Sequence, residues 1–253
     1  MALTAIEASP VLAALLGGSL AALATAAGTL PALFARTIER RTQDTLLGFG
    51  AGVMLAATAF SLVLPGIEAA RAQGAGDWSA GLLVGLAILS GAALVMAMDR
   101  LLPHEHFIKG PEGLYSPRLR RTWLFVFAIA LHNLPEGLAI GVAYATGIAI
   151  QDVPEGLVVA IALIAAGMAR GPAVLVGMAS GLVEPVGAVV GASVVLALPM
   201  LLPVGLGFAA GAMLFVVSHE IIPESHRQGH EKFATTGLMI GFVLMMLLDT
   251  ALA

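Results

Sequence analysis

The sequence predicts an all-α polytopic membrane protein, a bundle of eight transmembrane helices with both termini outside. The 253 residues are 59% hydrophobic and only 11% charged. A soluble domain is about 25% charged, so the charges here are too few to cover a water-facing surface of this size. Eight apolar runs are each near the roughly 20 residues that a bilayer requires. The basic residues concentrate in alternate connections between those runs.

The eight runs follow one another with short polar connections and form one transmembrane domain over residues 1–253. They are rich in Gly and Ala, which let transmembrane helices approach closely. The fourth and fifth are the least hydrophobic because they carry polar motifs. The predicted spans are roughly 10–35, 46–70, 79–102, 123–146, 148–168, 172–198, 203–226 and 233–252.

The distribution of Lys and Arg gives the orientation. The first, third, fifth and seventh connections hold eleven of the twelve basic residues, and Arg71 alone lies in an even connection. Cytoplasmic loops carry the excess of positive charge, so we expect the odd connections in the cytoplasm and both termini outside. A span count wrong by one would destroy this bias.

Two connections are unusual. Only Gly147 separates spans four and five, whereas an antiparallel helix pair needs a connection of about 2–8 residues. Either residues are missing from the chain there, or Tyr144–Ala149 unwinds to make the turn. The longest connection, 103–122, is polar and contains Gly and Pro, which predicts a mobile loop.

Ionisable side chains deep in the predicted spans are costly and indicate function. No Lys or Arg lies at a matching depth, so the acids are either protonated and bonded between helices or share a cation. Their clustering in three motifs favours a metal ion. The set is six carboxylates and two imidazoles: His132, Glu136, Asp152, Glu155, Glu184, His219, Glu220 and Glu224.

The motifs HNLPEG and QDVPEG repeat one spacing. His132 and Glu136 are four residues apart, as are Gln151 and Glu155, so each pair lies on one face of a helix. Asn133 and Asp152 each lie three residues before the glutamate of their motif and extend that face. Two such helices facing each other could enclose one cation, or two cations bridged by the glutamates.

Depth agrees with a shared site. At 1.5 Å per residue, Glu136 and Glu155 lie roughly 12–17 Å below the outer surface, and Glu184 in span six is also near the midplane. A proline accompanies each acidic motif and should free the carbonyl four residues before it. These prolines are Pro135, Pro154, Pro185 and Pro223, and the carbonyls are those of Leu131, Ile150, Gly181 and His219.

The segment HNLPEGLAIGVA (132–143), followed by QDVPEGLVVAIAL (151–163), resembles the signature of the ZIP family of zinc and iron transporters, in a bacterial member. The resemblance extends over essentially the whole chain and implies a transport domain with a binuclear site. One ion would be held by His132, Glu136, Gln151 and Glu155, with a thioether from Met54. The other would be held by Asn133, Asp152, Glu184 and the two shared glutamates.

The resemblance also suggests a cytoplasmic exit route near the end of span seven, in SHEIIPESHRQGH (218–230). His226 and His230 are alternatively solvated residues at a helix end. The exit residues expected are Asp99, His104, His219, Glu220, Glu224 and His230.

Imidazole, amide and carboxylate ligands suit zinc better than calcium, and the absence of Cys disfavours copper(I). We expect inward transport of Zn²⁺, with Cd²⁺, Fe²⁺ or Mn²⁺ as alternatives, and no catalytic cofactor. The expected partners are these ions and the lipid of a bacterial plasma (inner) membrane, with no nucleic acid and with a homodimer left open.

Other classes stay open at this point. HNLPE lacks the HExxH pattern of zinc proteases, and in HEIIPESH the second His is seven residues on. An intramembrane metalloenzyme would need a zinc with an open coordination position. A cation channel with an acidic selectivity ring and a metal sensor without transport are the remaining alternatives.

Overall fold

The computed structural model describes residues 9–34, 39–101, 104–106, 110–112, 133, 137–138, 140, 148–165, 168–227 and 229–252. Within this part, six helical segments are long and apolar enough to cross a membrane, which confirms a polytopic membrane protein. They coincide with predicted spans one to three and six to eight. The segments are Pro10–Leu33, Arg40–Ala72, Asp77–Met98, Arg170–Ala197, Pro199–Ser225 and Glu231–Ala251.

Helix α1 (Pro10–Thr29) begins the fold and continues as a 3₁₀ turn, Leu30–Leu33. The backbone N–H of Leu12 donates to the Ser9 hydroxyl at 3.4 Å, which satisfies one of the donors left open at a helix start. Pro10 occupies the first helical position, where its missing N–H is tolerated.

Spans two and seven share one irregularity. Each contains a π-helical segment directly before a Leu-Pro or Ile-Pro pair, at Pro65 and Pro223. Proline lacks an N–H and its ring clashes with the preceding turn, so the helix widens there instead of stopping. Span two is α2 (Arg40–Ala57), the π segment Thr58–Val63 and α3 (Leu64–Ala72). Span seven is a 3₁₀ turn (Pro199–Leu201), α8 (Leu202–Val216), the π segment Val217–Ile221 and α9 (Ile222–Ser225).

The remaining elements complete the fold. In chain order they are α4 (Asp77–Leu101), β1 (His104–His106), β2 (Gly110–Glu112), α5 (Ile148–Ala165), α6 (Arg170–Ser180), α7 (Val183–Ala197) and α10 (Glu231–Leu252).

The predicted mobile connection over 103–122 contains a short strand pair. Strands β1 and β2 pair antiparallel, with His104 opposite Glu112 and His106 opposite Gly110. The pairing satisfies backbone groups that a free loop would leave to water.

Helix α5 corresponds to predicted span five. It begins at Ile148, so Ala149 is helical and the proposed unwinding over Tyr144–Ala149 does not reach it. Predicted span four, 123–146, lies outside the described residues except for Asn133, Gly137, Leu138 and Ile140. The count of eight spans therefore remains a prediction.

The helices pack in neighbouring sets. Helix α1 packs against α5, α6 and α7, while α10 packs against α2, α8 against α4, and α2 also against α5. Small residues make these contacts close, as predicted: a Cβ at Gly52 would overlap the carbonyl oxygen of Leu238, and one at Gly211 would overlap that of Ile88. Large apolar side chains such as Leu23 and Leu89 are exposed on the outer surface, where lipid is their natural solvent.

Candidate metal site at the helix crossings

The described part of the chain includes four of the eight predicted ligands with their side chains: Met54, Asn133, Asp152 and Glu184. All four are buried, with at most 2% of their surface exposed. The backbones of Gln151 and Glu155 are helical within α5, but their side chains lie outside the described part, as do His132 and Glu136 entirely.

Asn133 and Glu184 meet directly. The Asn133 amide Nδ2 donates to Oε1 of Glu184 at 3.0 Å, across 51 residues of sequence. Glu184 is fully buried, and the Asn133 amide oxygen Oδ1, also buried, has no hydrogen-bond partner in the described part of the chain. Buried polar atoms normally have partners, so an oxygen in this position is well suited to bind a cation.

Thr25 of α1 also contacts Glu184, and it was not among the predicted ligands. Its hydroxyl donates to the same Glu184 oxygen, Oε1, at 3.1 Å and is also 3.2 Å from the carbonyl oxygen of Ala21. The only sequence signal is a Thr in an Ala-rich run. That signal ordinarily indicates a hydroxyl bonded to its own helix, as Thr29 is to Ala26.

Glu184 lies at a break in span six. Helix α6 ends at Ser180, and α7 begins at Val183, so Glu184 is in the first turn of α7. The positive end of the helix dipole stabilises a carboxylate there. The expectation that Pro185 frees the Gly181 carbonyl is wrong, because the backbone N–H of Glu184 donates to it at 3.1 Å. The tight 3₁₀-type turn before the new helix supplies that donor.

Asp152 lies where α5 crosses α1. A Cβ at Gly28 would overlap the carbonyl oxygen of Val153, the residue after Asp152, and a Cβ at Gly156 would overlap that of Thr25. The backbones of α1 and α5 are therefore in direct contact at Val153 and again at Gly156. Helix α5 also continues through Pro154.

The segments HNLPEG and QDVPEG, the two PEG motifs, each end in a glycine, and both glycines have the same function in packing. A Cβ at Gly137 would lie 2.5 Å from the carbonyl oxygen of Glu184, and one at Gly187 would lie 3.0 Å from Gly137. Gly156 does the same against Thr25. Each glutamate of the motifs is thus followed by a residue that brings the backbone against α1 or α7, the helices that carry Thr25 and Glu184.

Met54 is part of a buried apolar cluster that also contains Ile140 and Ala188. Its carbonyl oxygen accepts from the Thr58 hydroxyl at 2.7 Å, where α2 becomes the π segment. Packing accounts for this position, and a thioether ligand stays a prediction.

Of the predicted exit residues, His219 and His230 have described side-chain contacts, and these are with different neighbours. The His219 ring stacks on Phe215, with centroids 5.0 Å apart. His230 Nδ1 lies 2.8 Å from Oδ2 of Asp44, a buried carboxylate at the start of α2. This pair links the turn before α10 to α2, and Asp44 was missed because predicted span two began at 46.

The other exit residues are less fully described. His104 lies in β1, Asp99 in α4 and Glu220 in the π segment, and their side chains are outside the described part. His226, the other histidine of this segment, has its Nε2 3.0 Å from the Thr235 hydroxyl. Among the described side chains, no three His, Asp or Glu come together as a metal-binding group.

Comparison with known proteins gives the family. A family model described as ZIP zinc transporter matches residues 112–249, more than half of the chain. Zinc transporter ZIPB of Bordetella bronchiseptica is 53% identical over 250 residues, covering 94% of this chain and 81% of that protein. Zinc transporter GufA of Myxococcus xanthus is 45% identical over 251 residues, 95% and 99% of the two chains. Zinc transporter ZIP11 of Homo sapiens is 32% identical over 336 residues, 96% and 98%.

These relatives are named as transporters, and none of the names denotes an enzyme. The match of the family model and the identity over nearly the whole length show that this multi-pass membrane protein belongs to the ZIP zinc transporter family.

Proposed function

We propose that this chain carries Zn²⁺ through the membrane toward the cytoplasm, by way of a site built from the two PEG motifs and Glu184. The observation that carries the proposal is the Asn133–Glu184 contact. A predicted ligand from one motif donates to a predicted ligand of another helix at 3.0 Å, and its amide oxygen is buried without a partner among the described residues. The names of the relatives support zinc as the cargo.

The proposed site is binuclear. One ion is held by His132, Glu136, Gln151 and Glu155, with Met54 as an additional ligand. The second is held by Asn133, Asp152 and Glu184 together with the two shared glutamates. Support comes from the burial of Asp152 and Glu184 and from the close packing of Gly137 and Gly156, which draws both motifs toward α1 and α7.

The arrangement in the membrane follows from the charge distribution. We propose eight spans with both termini outside, in a bacterial inner membrane, and a homodimer as the assembly to test. Arg71 is the one basic residue in an even connection, and its Nε is 3.0 Å from Asp77. As one basic residue against eleven, Arg71 hardly alters the positive-inside bias.

The ligand chemistry sets the conditions of transport. His132 must be neutral and the carboxylates ionised to bind metal, so binding weakens as the pH falls. Cd²⁺, Fe²⁺ and Mn²⁺ can compete because they accept the same nitrogen and oxygen ligands. Exposure of the site must alternate between the two sides, because a permanently open pathway would leak.

Zinc uptake by proteoliposomes that contain the purified protein tests the proposal. Saturable uptake should be lost in Glu136→Ala and retained in Glu39→Ala, which removes an exposed carboxylate at the start of α2. Wild-type uptake by Glu136→Ala would refute the assignment of the site. Uptake that does not saturate and far exceeds carrier rates would show a channel, and cleavage of a reporter peptide without flux would show an enzyme.

A further inference from the structure

Thr25 is placed to control how Glu184 meets the ion. It is buried at 2% exposure in the last third of α1, and its hydroxyl is within hydrogen-bond distance of two acceptors, Glu184 Oε1 at 3.1 Å and the Ala21 carbonyl oxygen at 3.2 Å. A hydroxyl has one proton to donate. It can therefore serve Glu184 or turn back to its own helix.

Oε1 of Glu184 receives two donors from two different parts of the chain, Thr25 and Asn133. A carboxylate oxygen has about two lone-pair sites, so these two bonds use its capacity. An ion that binds Glu184 while both bonds persist must do so through the other oxygen. Glu184 is then a one-oxygen ligand.

The position of Thr25 is fixed by contacts on both sides. A Cβ at Gly156 would overlap its carbonyl oxygen, and one at Gly181 would lie 3.1 Å from its Cβ. Glycine at both positions lets α1 approach α5 and the break before α7 together. These contacts place the backbone and Cβ of Thr25 beside Glu184.

We propose that Thr25 is a positioning and specificity-determining residue of the transport site. This inference rests on the proposed function. By donating to Oε1, Thr25 restricts Glu184 to binding through one oxygen, which suits the low coordination number and short bonds of Zn²⁺. Larger ions accept both oxygens of a carboxylate more readily, as Ca²⁺ does. Without the hydroxyl, Glu184 can bind in that way, and discrimination against the larger Cd²⁺ falls.

The test measures KM and maximal rate for Zn²⁺ and for Cd²⁺ in proteoliposomes, with Thr25→Val and Thr25→Ser. Valine keeps the shape and removes the donor, whereas serine keeps the donor and removes a methyl group. A hydrogen bond to a charged group is strong enough for about a tenfold effect. We expect Thr25→Val to raise KM for Zn²⁺ about tenfold with little change in maximal rate, and to raise KM for Cd²⁺ less. Thr25→Ser should resemble the wild type.

Thr29→Val is the matched control, since Thr29 lies one turn further along α1 and bonds only to Ala26 among the described residues. It should leave both constants unchanged. Pure packing at Thr25 would give the reverse pattern, with a normal valine variant and an impaired serine variant, and would overturn the inference. An equal rise of KM for both metals would overturn the specificity role.

Glu184→Gln separates this inference from the proposed function. Normal zinc transport by that variant would refute the site itself. If that variant loses transport and Thr25→Val behaves as the wild type, only the role of Thr25 fails. Size-exclusion profiles and thermal unfolding of each variant confirm that it is folded.

Discussion

Gly156→Ala tests whether the contact between α1 and α5 builds the site. The added methyl group would overlap the carbonyl oxygen of Thr25. That oxygen belongs to helix backbone, so the two helices must separate by about 1 Å or more, because protein interiors have no space to absorb the difference. Thr25 then moves relative to Asp152 and Glu155, which lie on the same helix as Gly156.

The magnitude follows from overpacking, which costs about 1–3 kcal/mol. If that cost falls on the metal-binding conformation, affinity for Zn²⁺ drops about 5- to 150-fold, since about 1.4 kcal/mol is tenfold. Alanine favours a helix over glycine by about 1 kcal/mol in water, which offsets part of the loss in stability. The effect on zinc affinity should therefore exceed the effect on thermal unfolding.

Gly81→Ala is the control for that prediction, because Gly81 is also in a long apolar helix, α4, and a Cβ added there would meet no described atom within 4 Å. It should leave zinc affinity unchanged and keep or raise the unfolding temperature. Zinc titration of purified protein by calorimetry and uptake by proteoliposomes give the two readouts. Wild-type affinity in Gly156→Ala would refute the reasoning that this helix contact positions the ligands.

Three further predictions concern single contacts and the ion. Asp44→Asn should lower the free energy of unfolding by about 1–3 kcal/mol, the cost of losing a buried hydrogen bond to a charged group. Asp77→Asn, in an exposed pair with Arg71, should lower it by at most about 1 kcal/mol. Thermal unfolding in detergent compares the two variants, and equal losses would contradict the importance of burial. Met54→Leu keeps the side-chain volume, so it should lower the free energy of unfolding by less than about 1.5 kcal/mol. Loss of a soft thioether ligand should weaken Cd²⁺ binding more than Zn²⁺ binding, and unchanged metal titrations would show that Met54 only packs in the core. Zn²⁺ at about 100 times its Kd should stabilise metal-free protein by about 2.7 kcal/mol, whereas Mg²⁺ should not, and an unfolding temperature that is insensitive to zinc would contradict a preformed site.

The sequence predicted the spans and the polar motifs because both are local signals. Hydrophobic length predicted six segments that the structure confirms, and burial of an acid in an apolar run pointed to Asp152 and Glu184. Local pattern could not identify Thr25, since its contact to Glu184 joins residues 159 positions apart. Thr25 and Thr29 look alike in the sequence, and only the packing of α1 on α7 distinguishes them.

Helix ends were harder to predict than helix centres. Helix α2 starts at Arg40, six residues before the predicted span, because hydrophobicity marks the membrane core and not the whole helix. That extension places the buried Asp44 against His230, a contact between residues 186 positions apart. The Gly181 carbonyl was misjudged for a related reason. Proline removes one donor, but a 3₁₀-type turn can supply another.

In the proposed site, the described donors to Glu184 would let an acidic group hold a cation and still release it. The two hydrogen bonds to Oε1 come from an amide and a hydroxyl, and the helix N-terminus of α7 adds a partial positive charge. These groups orient the carboxylate and help to replace water without cancelling its full charge. A lysine or arginine in their place would neutralise Glu184 permanently and repel the cargo. With neutral donors, an arriving cation would still meet a negative charge on Glu184, and withdrawal of the Thr25 hydroxyl would change its affinity.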